Sequence, residues 1–524
     1  MKNKLIRLLC LVFALVMCVG VFAGCADDSD DDNKSSTTNN AKGEDRFNGV
    51  NFGNKTITIA MSNCEDHERV GASVAKYMTG PDKDEADTND RIIKAVADRN
   101  TAVQNKLGLT VEYTYMSEGY SELPAAIEQR VNANDGFADA IANQVTALVR
   151  CMMKGIFVDA NTTQRTNYFD LTDDCWYDAA MQALSPGQSM NDANGDGRAD
   201  GKFYLLASDY FIDIIRCIDI MYVSGSAFKT IYGREIDEIY DKIEYGDWTY
   251  DVLTSYIQNA FLDTGAKPNV TDENDRLGLV YPSVSDSFVA SVAMAITHST
   301  DIEYIQNNGG NYTYNSNMNS FETLIGKAKA ILDSKGSFGS DASVDAARRV
   351  FAKGNALFIM GLRLYDLENE LFAPTLEMTP IPYPKLYENN SYRSYVHDNA
   401  SVGAVFKQTK SFDAVSAYWQ LSSLKSEPTR IKYYEDGLGL KYEQGTKTKR
   451  MLDIIYNNLT VDFSYTWDKY VTTDMQGYTD LQSLSGILQN VASGNGAFGS
   501  AWETNRARKQ AGLTEAIAKY NSVN

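Results

Sequence analysis

The sequence predicts an α/β protein in two lobes, each a sheet flanked by helices. Two observations carry this. Strand-like and helix-like stretches alternate between residues 55 and 155, and such alternation builds a parallel sheet with helices on its faces. The chain also has 524 residues, more than one core usually holds.

The elements follow in order. Residues 55–61, KTITIAM, alternate and are rich in β-branched side chains, which predicts a first strand. A polar loop from Ser62 to Asp66 follows. Apolar residues Ile92, Ile93, Val96, Val103 and Leu107 recur at helical spacing and stop at Gly108. Residues 109–116 read as a strand, 121–131 as a helix capped by Ser121, and 137–142 as a third strand ending at Asn143-Gln144. A helix over 146–154 closes at Gly155.

Further on, 191–201 is turn-rich and 201–206 reads as a strand. Residues 212–223, IDIIRCIDIMYV, are a long apolar run. Thr249 is placed to cap a helix reaching Phe261. Helices are predicted over 322–332, 341–352, 412–424, 451–457, 483–491 and 513–520, and strands over 355–360 and 401–406. Residues 377–384 hold three of the ten prolines, so they cannot lie inside a sheet.

The start of the chain is of another kind. Lys2, Lys4 and Arg7 precede an uncharged run from Leu8 to Ala26, the pattern of an export signal. The run contains Phe22-Ala23-Gly24-Cys25, which resembles the lipobox of a bacterial lipoprotein. That resemblance makes residues 1–24 a signal peptide and Cys25 the lipid-bearing first residue of the mature chain. Residues 25–51 are polar and acidic without apolar periodicity. They read as a disordered tether with a reach of roughly 30 Å. The remainder is then expected outside the cell, lipid-anchored at the extracellular face of its membrane.

The totals exclude several classes. Net charge is −20, and loss of Lys2, Lys4 and Arg7 takes it to −23. Such a surface disfavours nucleic acid and anionic lipid as partners. Beyond the signal and Cys25, only Cys64, Cys151, Cys175 and Cys217 remain. They read as free thiols rather than a disulfide framework. Of His67, His298 and His397, only His67 follows a cysteine, Cys64, at metal-ligand spacing, and no cofactor is expected. Asp192, Asn194, Asp196, Gly197 and Asp200 match the first part of an EF-hand loop, but Phe203 stands where the bidentate Glu belongs. A turn without metal is the expectation. There is no Walker A and no G-x-S-x-G sequence.

Several short pieces then fall in a telling order. They are Asp98-Arg99-Asn100, Gly155-Ile156-Phe157, Asp174-Cys175-Trp176-Tyr177, Gly201-Lys202-Phe203-Tyr204 and Gly246-Asp247-Trp248-Thr249-Tyr250-Asp251. Phe351-Ala352-Lys353-Gly354-Asn355-Ala356-Leu357-Phe358 and Pro380-Ile381-Pro382-Tyr383-Pro384 complete the series. In this order the chain resembles the extracellular solute-binding proteins of ABC transporters, in the carbohydrate-binding, maltose-binding-type group. The resemblance implies a two-lobed periplasmic-binding-protein-like fold with a multi-segment hinge. It places lobe one at 52–208 and 383–430, and lobe two at 212–380 and 433–524.

It also implies the function: capture of a sugar or oligosaccharide between the lobes and delivery to a membrane permease, without catalysis, by a monomer. A surface-anchored glycoside hydrolase and an adhesion lipoprotein are the alternatives. Ligands of open α/β sheets sit beyond the carboxyl ends of strands, which points to Glu65, Asn143 and Gln144. By family position Trp176, Asp209, Arg363, Tyr365, His397, Asp398 and Trp467 join them. Amides, carboxylates and Arg bond hydroxyls, while aromatic faces cover the apolar side of a pyranose. Trp248, beside a helix cap, is expected to pack in the core instead.

Overall fold

In chain order the strands begin with β1 (Lys55–Ser62), β2 (Leu109–Met116), β3 (Ala140–Gln144), β4 (Asp219–Ser224) and β5 (Leu277–Pro282). Next come β6 (Ile305–Asn308), β7 (Asn311–Tyr314), β8 (Ser337–Ser340), β9 (Ala356–Arg363) and β10 (Met378–Ile381). The last are β11 (Ser394–Tyr395), β12 (Ser401–Val405) and β13 (Leu459–Thr460). The structure is a computed structural model. It describes residues 43–62, 72–80, 90–119, 121–265, 270–282, 288–340, 344–368, 377–440, 442–484 and 497–523, with a few single positions besides.

The strands sort into two main sheets. The first has the order β12-β3-β1-β2. β1, β2 and β3 are parallel, and β12 runs antiparallel to β3 with Ser401 opposite Gln144. The second has the order β10-β4-β9-β5-β8. There β5 pairs in parallel with β8 and β9, while β4 is antiparallel to β9 and β10. The fold is α/β and two-lobed, with helices packed on both sheets.

Local chemistry sets the elements. Asp90 accepts hydrogen bonds from the backbone N–H groups of Ile92 and Ile93 and so starts the helix Arg91–Leu107. Gly108, at φ 58°, ends it in the left-handed region. The side chain of Thr249 caps Tyr250–Ala260 through Val252 N–H, as expected. That helix lies so close to β5 that a Cβ on Gly278 would stand 2.4 Å from the Ile257 backbone. Only glycine permits this approach. β10, which contains Pro380, sits at a sheet edge where a missing N–H costs no ladder bond. Trp248 is core, with its indole N–H on Pro382 O.

Some expectations need correction. Residues 201–206 form no strand. Side chains take their backbone bonds instead, Gln188 from Lys202 N–H and Asp159 from Phe203 N–H, leaving an isolated bridge from Leu206 to Gly403. The apolar run 212–223 divides into a short helix, Asp213–Arg216, and strand β4. The helix expected at Ser121 begins at Leu123 with no side-chain cap, because Pro124 already suits its first turn. Helix 513–520 is part of the longer Phe498–Ser522. The tether does not extend to residue 51. Gly43–Phe47 is a 3-10 helix and Phe47 is buried against Tyr168. The signal, Cys25, Cys64 and part of 483–491 lie outside the described residues. Cys151 and Cys217 are buried free thiols, and Cys175 is a half-buried one. Burial pushes the Cys151 thiol up to about 12.

Candidate ligand site

Two chain segments cross between the sheets side by side. One leads from Leu206 to Ile218 and enters β4; the other leads from β11 to β12. They are bridged at Leu206–Gly403 and Ile218–Val396. A Cβ on Gly403 would meet the Phe211 ring at 2.3 Å, so glycine lets the crossings touch. β13 adds a third strand, parallel to β11. These crossings bring the carboxyl end of β3 and the carboxyl end of β9 to one region.

Polar side chains gather there. Arg363, the last residue of β9, is opposite Asp219, the first of β4, with Nε 3.3 Å from the carboxylate. Its other arm donates to Tyr365 Oη at 2.9 Å. His397 follows directly after the bridged Val396, and its N–H donates to Cys217 O at 3.0 Å. His397 Nδ1 lies 3.0 Å from Asp398 Oδ1, and Lys469 Nζ donates to Asp398 Oδ2 at 2.6 Å. Tyr465 Oη donates to the same oxygen at 3.1 Å. Val145 N–H bonds Ala400 O at 3.0 Å, which ties the end of β3 to this segment.

The electrostatics follow from burial and pairing. Burial pushes the Asp219 carboxyl up, against the pull of Arg363 and His397. Burial would also raise Asp398, but Lys469 and His397 overcome it and hold that carboxyl well below the usual range. Of the buried side-chain groups without a hydrogen-bond partner among the described residues, three stand on or beside these segments. They are Asn143 Nδ2, Thr146 Oγ1 and Tyr395 Oη. Buried polar groups normally find partners, so these three atoms have hydrogen-bonding capacity left beside the paired charges.

The sequence-derived residues therefore divide. Asn143, Gln144, Arg363, Tyr365, His397 and Asp398 lie along the crossings and the strand ends that these connect. Glu65 lies outside the described residues. Asp209 belongs elsewhere. Its carboxylate accepts from Arg430 at 2.9 Å, from Tyr456 and from Tyr177, and the Arg430 guanidinium lies 3.9 Å over the Tyr456 ring. It is engaged by three donors away from the Arg363 and His397 pairs. Trp176 is buried, with its indole N–H shared between Asp170 O and Gln420 Oε1. Trp467 is wholly buried, bonded to Ala183 O and packed on Phe463, Tyr470 and Tyr520. Neither ring has a free face for a sugar in this conformation. Asp219, Lys469 and Tyr395 were missed. Asp219 had a signal, since a charge inside the run IDIIRCIDIMYV must find a partner.

Solved structures share this architecture. A galacto-N-biose/lacto-N-biose I-binding protein of an ABC transporter from Bifidobacterium longum matches with TM-score 0.51 and 11% identity, over 90% of this chain and 98% of that one. The cyclic α-maltosyl-1,6-maltose binding protein of Arthrobacter globiformis matches with TM-score 0.54 and 12% identity, over 88% and 100%. The sugar-binding protein MalE of Xanthomonas citri matches with TM-score 0.53 and 11% identity, over 89% and 100%. The chain has the solute-binding-protein fold. No family model and no curated protein matches the sequence. The Arg363–Asp219 pair stands at the end of β9 and the start of β4, and the His397–Asp398 pair between β11 and β12.

The turn at Asp192–Asp200 is tied to itself. Asp192 accepts from the N–H groups of Asp196 and Gly197, and Asp200 from Ala193 N–H and the Asn194 amide. Among the described residues no group of three or more His, Cys, Asp or Glu is placed to hold a metal ion. Among them, too, no helix is long and apolar enough to cross a membrane.

Proposed function

We propose that this protein is the extracellular substrate-binding component of an ABC transporter, capturing a sugar or oligosaccharide and passing it to a membrane permease. The observation that carries the reading is the polar cluster at the crossings: the Arg363–Asp219 pair of the second sheet and the His397–Asp398 pair of the segment leading to β12, with Asn143 Nδ2, Thr146 Oγ1 and Tyr395 Oη unspent. Hydroxyls both donate and accept, so they suit a site where an amide, a guanidinium and carboxylates alternate. The neighbours in fold are named for binding lacto-N-biose and a cyclic maltosyl-maltose, which supports a glycan over a peptide. The lobes would be 52–208 with 383–430, and 212–380 with 433–524. The helix Phe463–Asp474 also packs on Val145–Met152 of the first-sheet side, so the second lobe reaches across.

In this reading Asn143, Gln144, His397 and Asp398 hold the ligand from one side, and Arg363 and Tyr365 from the other. A ligand held by both lobes favours the closed state by its differential affinity for it. The protein is a monomer without catalytic activity, anchored outside the cell through lipid on Cys25. The test is a thermal-shift screen over mono- and oligosaccharides, followed by calorimetry, since a ligand of the folded state raises its melting point. Saturable binding with the glycan unchanged supports transport. Release of reducing ends during the titration would move the assignment to a glycoside hydrolase.

A further inference from the structure

In the turn between β11 and β12 two groups compete for one nitrogen. Asn399 N–H donates to His397 Nδ1 at 3.2 Å. The Asp398 carboxylate stands 3.0 Å from the same atom. A ring nitrogen accepts only while it carries no proton and donates only when it carries one. The neutral ring with its proton on Nε2 therefore accepts from Asn399 N–H and closes the turn. A ring that also carries a proton on Nδ1 loses that bond and turns to Asp398. The turn is a junction. His397 O accepts from Ala400 N–H at 3.0 Å, and Ala400 O accepts from Val145 N–H at 3.0 Å, next to Asn143 and Gln144 at the end of β3. The His397 side chain is 13% exposed, so protons reach it from solvent.

The charged groups around the ring come in offsetting pairs. Asp398 is paired with Lys469 of the helix Phe463–Asp474, and Asp219 of β4 with Arg363 of β9. Burial pushes the Tyr395 and Tyr465 hydroxyls and the Cys217 thiol up, so these stay neutral. The Asp398 carboxyl is held well below the usual range and stays ionised. Burial pushes Asp219 up, and it is the carboxyl to be told apart from the ring. Imidazole is the side chain that ordinarily changes charge between about pH 5 and pH 8. We propose that His397 is a proton-operated switch: its neutral form locks the turn 397–400, and protonation releases the turn and loosens its tie to the end of β3. Capture of the ligand then weakens in acid, a consequence that rests on the function proposed above.

The test uses the ligand-free mature chain, so its outcome does not depend on whether any sugar binds. Imidazole NMR follows the histidines from pH 8 to pH 5, with His397 identified by the signal lost in His397→Gln and in His397→Asn. Hydrogen exchange, corrected for the intrinsic effect of pH, is read at the amides of Asn399 and Val145. Exchange at both is expected to rise at least about threefold as pH falls through the His397 midpoint, since the bonds that protect them are loosened. In the two variants an amide oxygen accepts N–H at every pH, and the rise is expected to vanish. Asp219 and the buried His298 are unchanged in those variants, so a rise owed to either would persist. Three results overturn the proposal: a His397 ring that keeps one charge from pH 8 to pH 5, exchange in the wild type that does not follow the His397 midpoint, or a rise that persists in the variants.

Discussion

The Arg216 guanidinium forks onto the Glu368 carboxylate, with Nε–Oε1 and Nη2–Oε2 both at 2.9 Å. Arg216 lies on a crossing segment, and Glu368 follows β9 of the second sheet. The guanidinium is flanked by the rings of Tyr77 at 4.8 Å and Tyr365 at 5.5 Å. Tyr433 donates to the same carboxylate at 2.6 Å. Tyr77 belongs to a helix packed on β1, so this ion pair fastens the first-sheet side to the end of β9.

Removing one partner of a buried pair costs about 3–5 kcal/mol. Glu368 is about a quarter exposed, so Glu368→Ala is expected to cost less, on the order of 1–3 kcal/mol after solvent screening. Urea unfolding measures this. Small-angle scattering of the ligand-free variant is expected to show a larger particle, because the fastening is lost. A variant as stable and as compact as the wild type would mean that the pair does not hold the lobes.

Trp467→Ala is expected to cost about 3–5 kcal/mol of stability, the usual loss for a large buried aromatic. The indole is enclosed and its N–H is bonded. Denaturant unfolding checks this. A small stability change with a large loss of sugar affinity would return Trp467 to the ligand site.

At the crossings, Arg363→Gln is expected to lower sugar affinity at least tenfold, about 1.4 kcal/mol. Calorimetry with the best glycan from the screen reads this. An unchanged affinity would remove Arg363 from the site.

Acid separates the carboxylates by sign. His298 and Arg393 overcome burial at Asp462 and bring its pKa to about 2, below an unfolded value of about 3.9. A depressed carboxyl contributes stability that is present above the unfolded pKa and lost as pH falls through the folded one. Burial raises Asp219, whose contribution runs the other way: present below the unfolded pKa and lost as pH rises through the folded one. Asp462→Asn keeps a good helix cap and removes the charge. It is expected to cost on the order of 2 kcal/mol at pH 6, with the gap to wild type closing between about pH 4 and pH 2. Urea titrations at several pH values measure the gap. A gap independent of pH would place the effect in the cap rather than the charge.

For the anchor, Cys25→Ala is expected to release the protein from the membrane or leave an unprocessed precursor. Fractionation and mass determination distinguish these. Retention of a correctly cleaved chain would sink the lipid assignment.

The sequence by itself determined the α/β class, because hydrophobic periodicity and caps are local. Asp90, Gly108 and Thr249 set helix ends through bonds within a few residues, and the prolines near β10 kept it at an edge. Tertiary structure decided what local pattern cannot. Residues 201–206 looked like a strand, but side chains at Gln188 and Asp159 took their backbone bonds. A tryptophan reads the same in a cleft or in a core; only packing against Ala183 and Tyr520 buried Trp467. Asp209 and Asp398 are both buried aspartates on the segments that cross between the sheets. What separates them is their partners, Arg430 for one and Lys469 for the other. Those partners lie 221 and 71 positions away. A binding site joins residues from distant stretches, and it exists only once the crossings have brought them together.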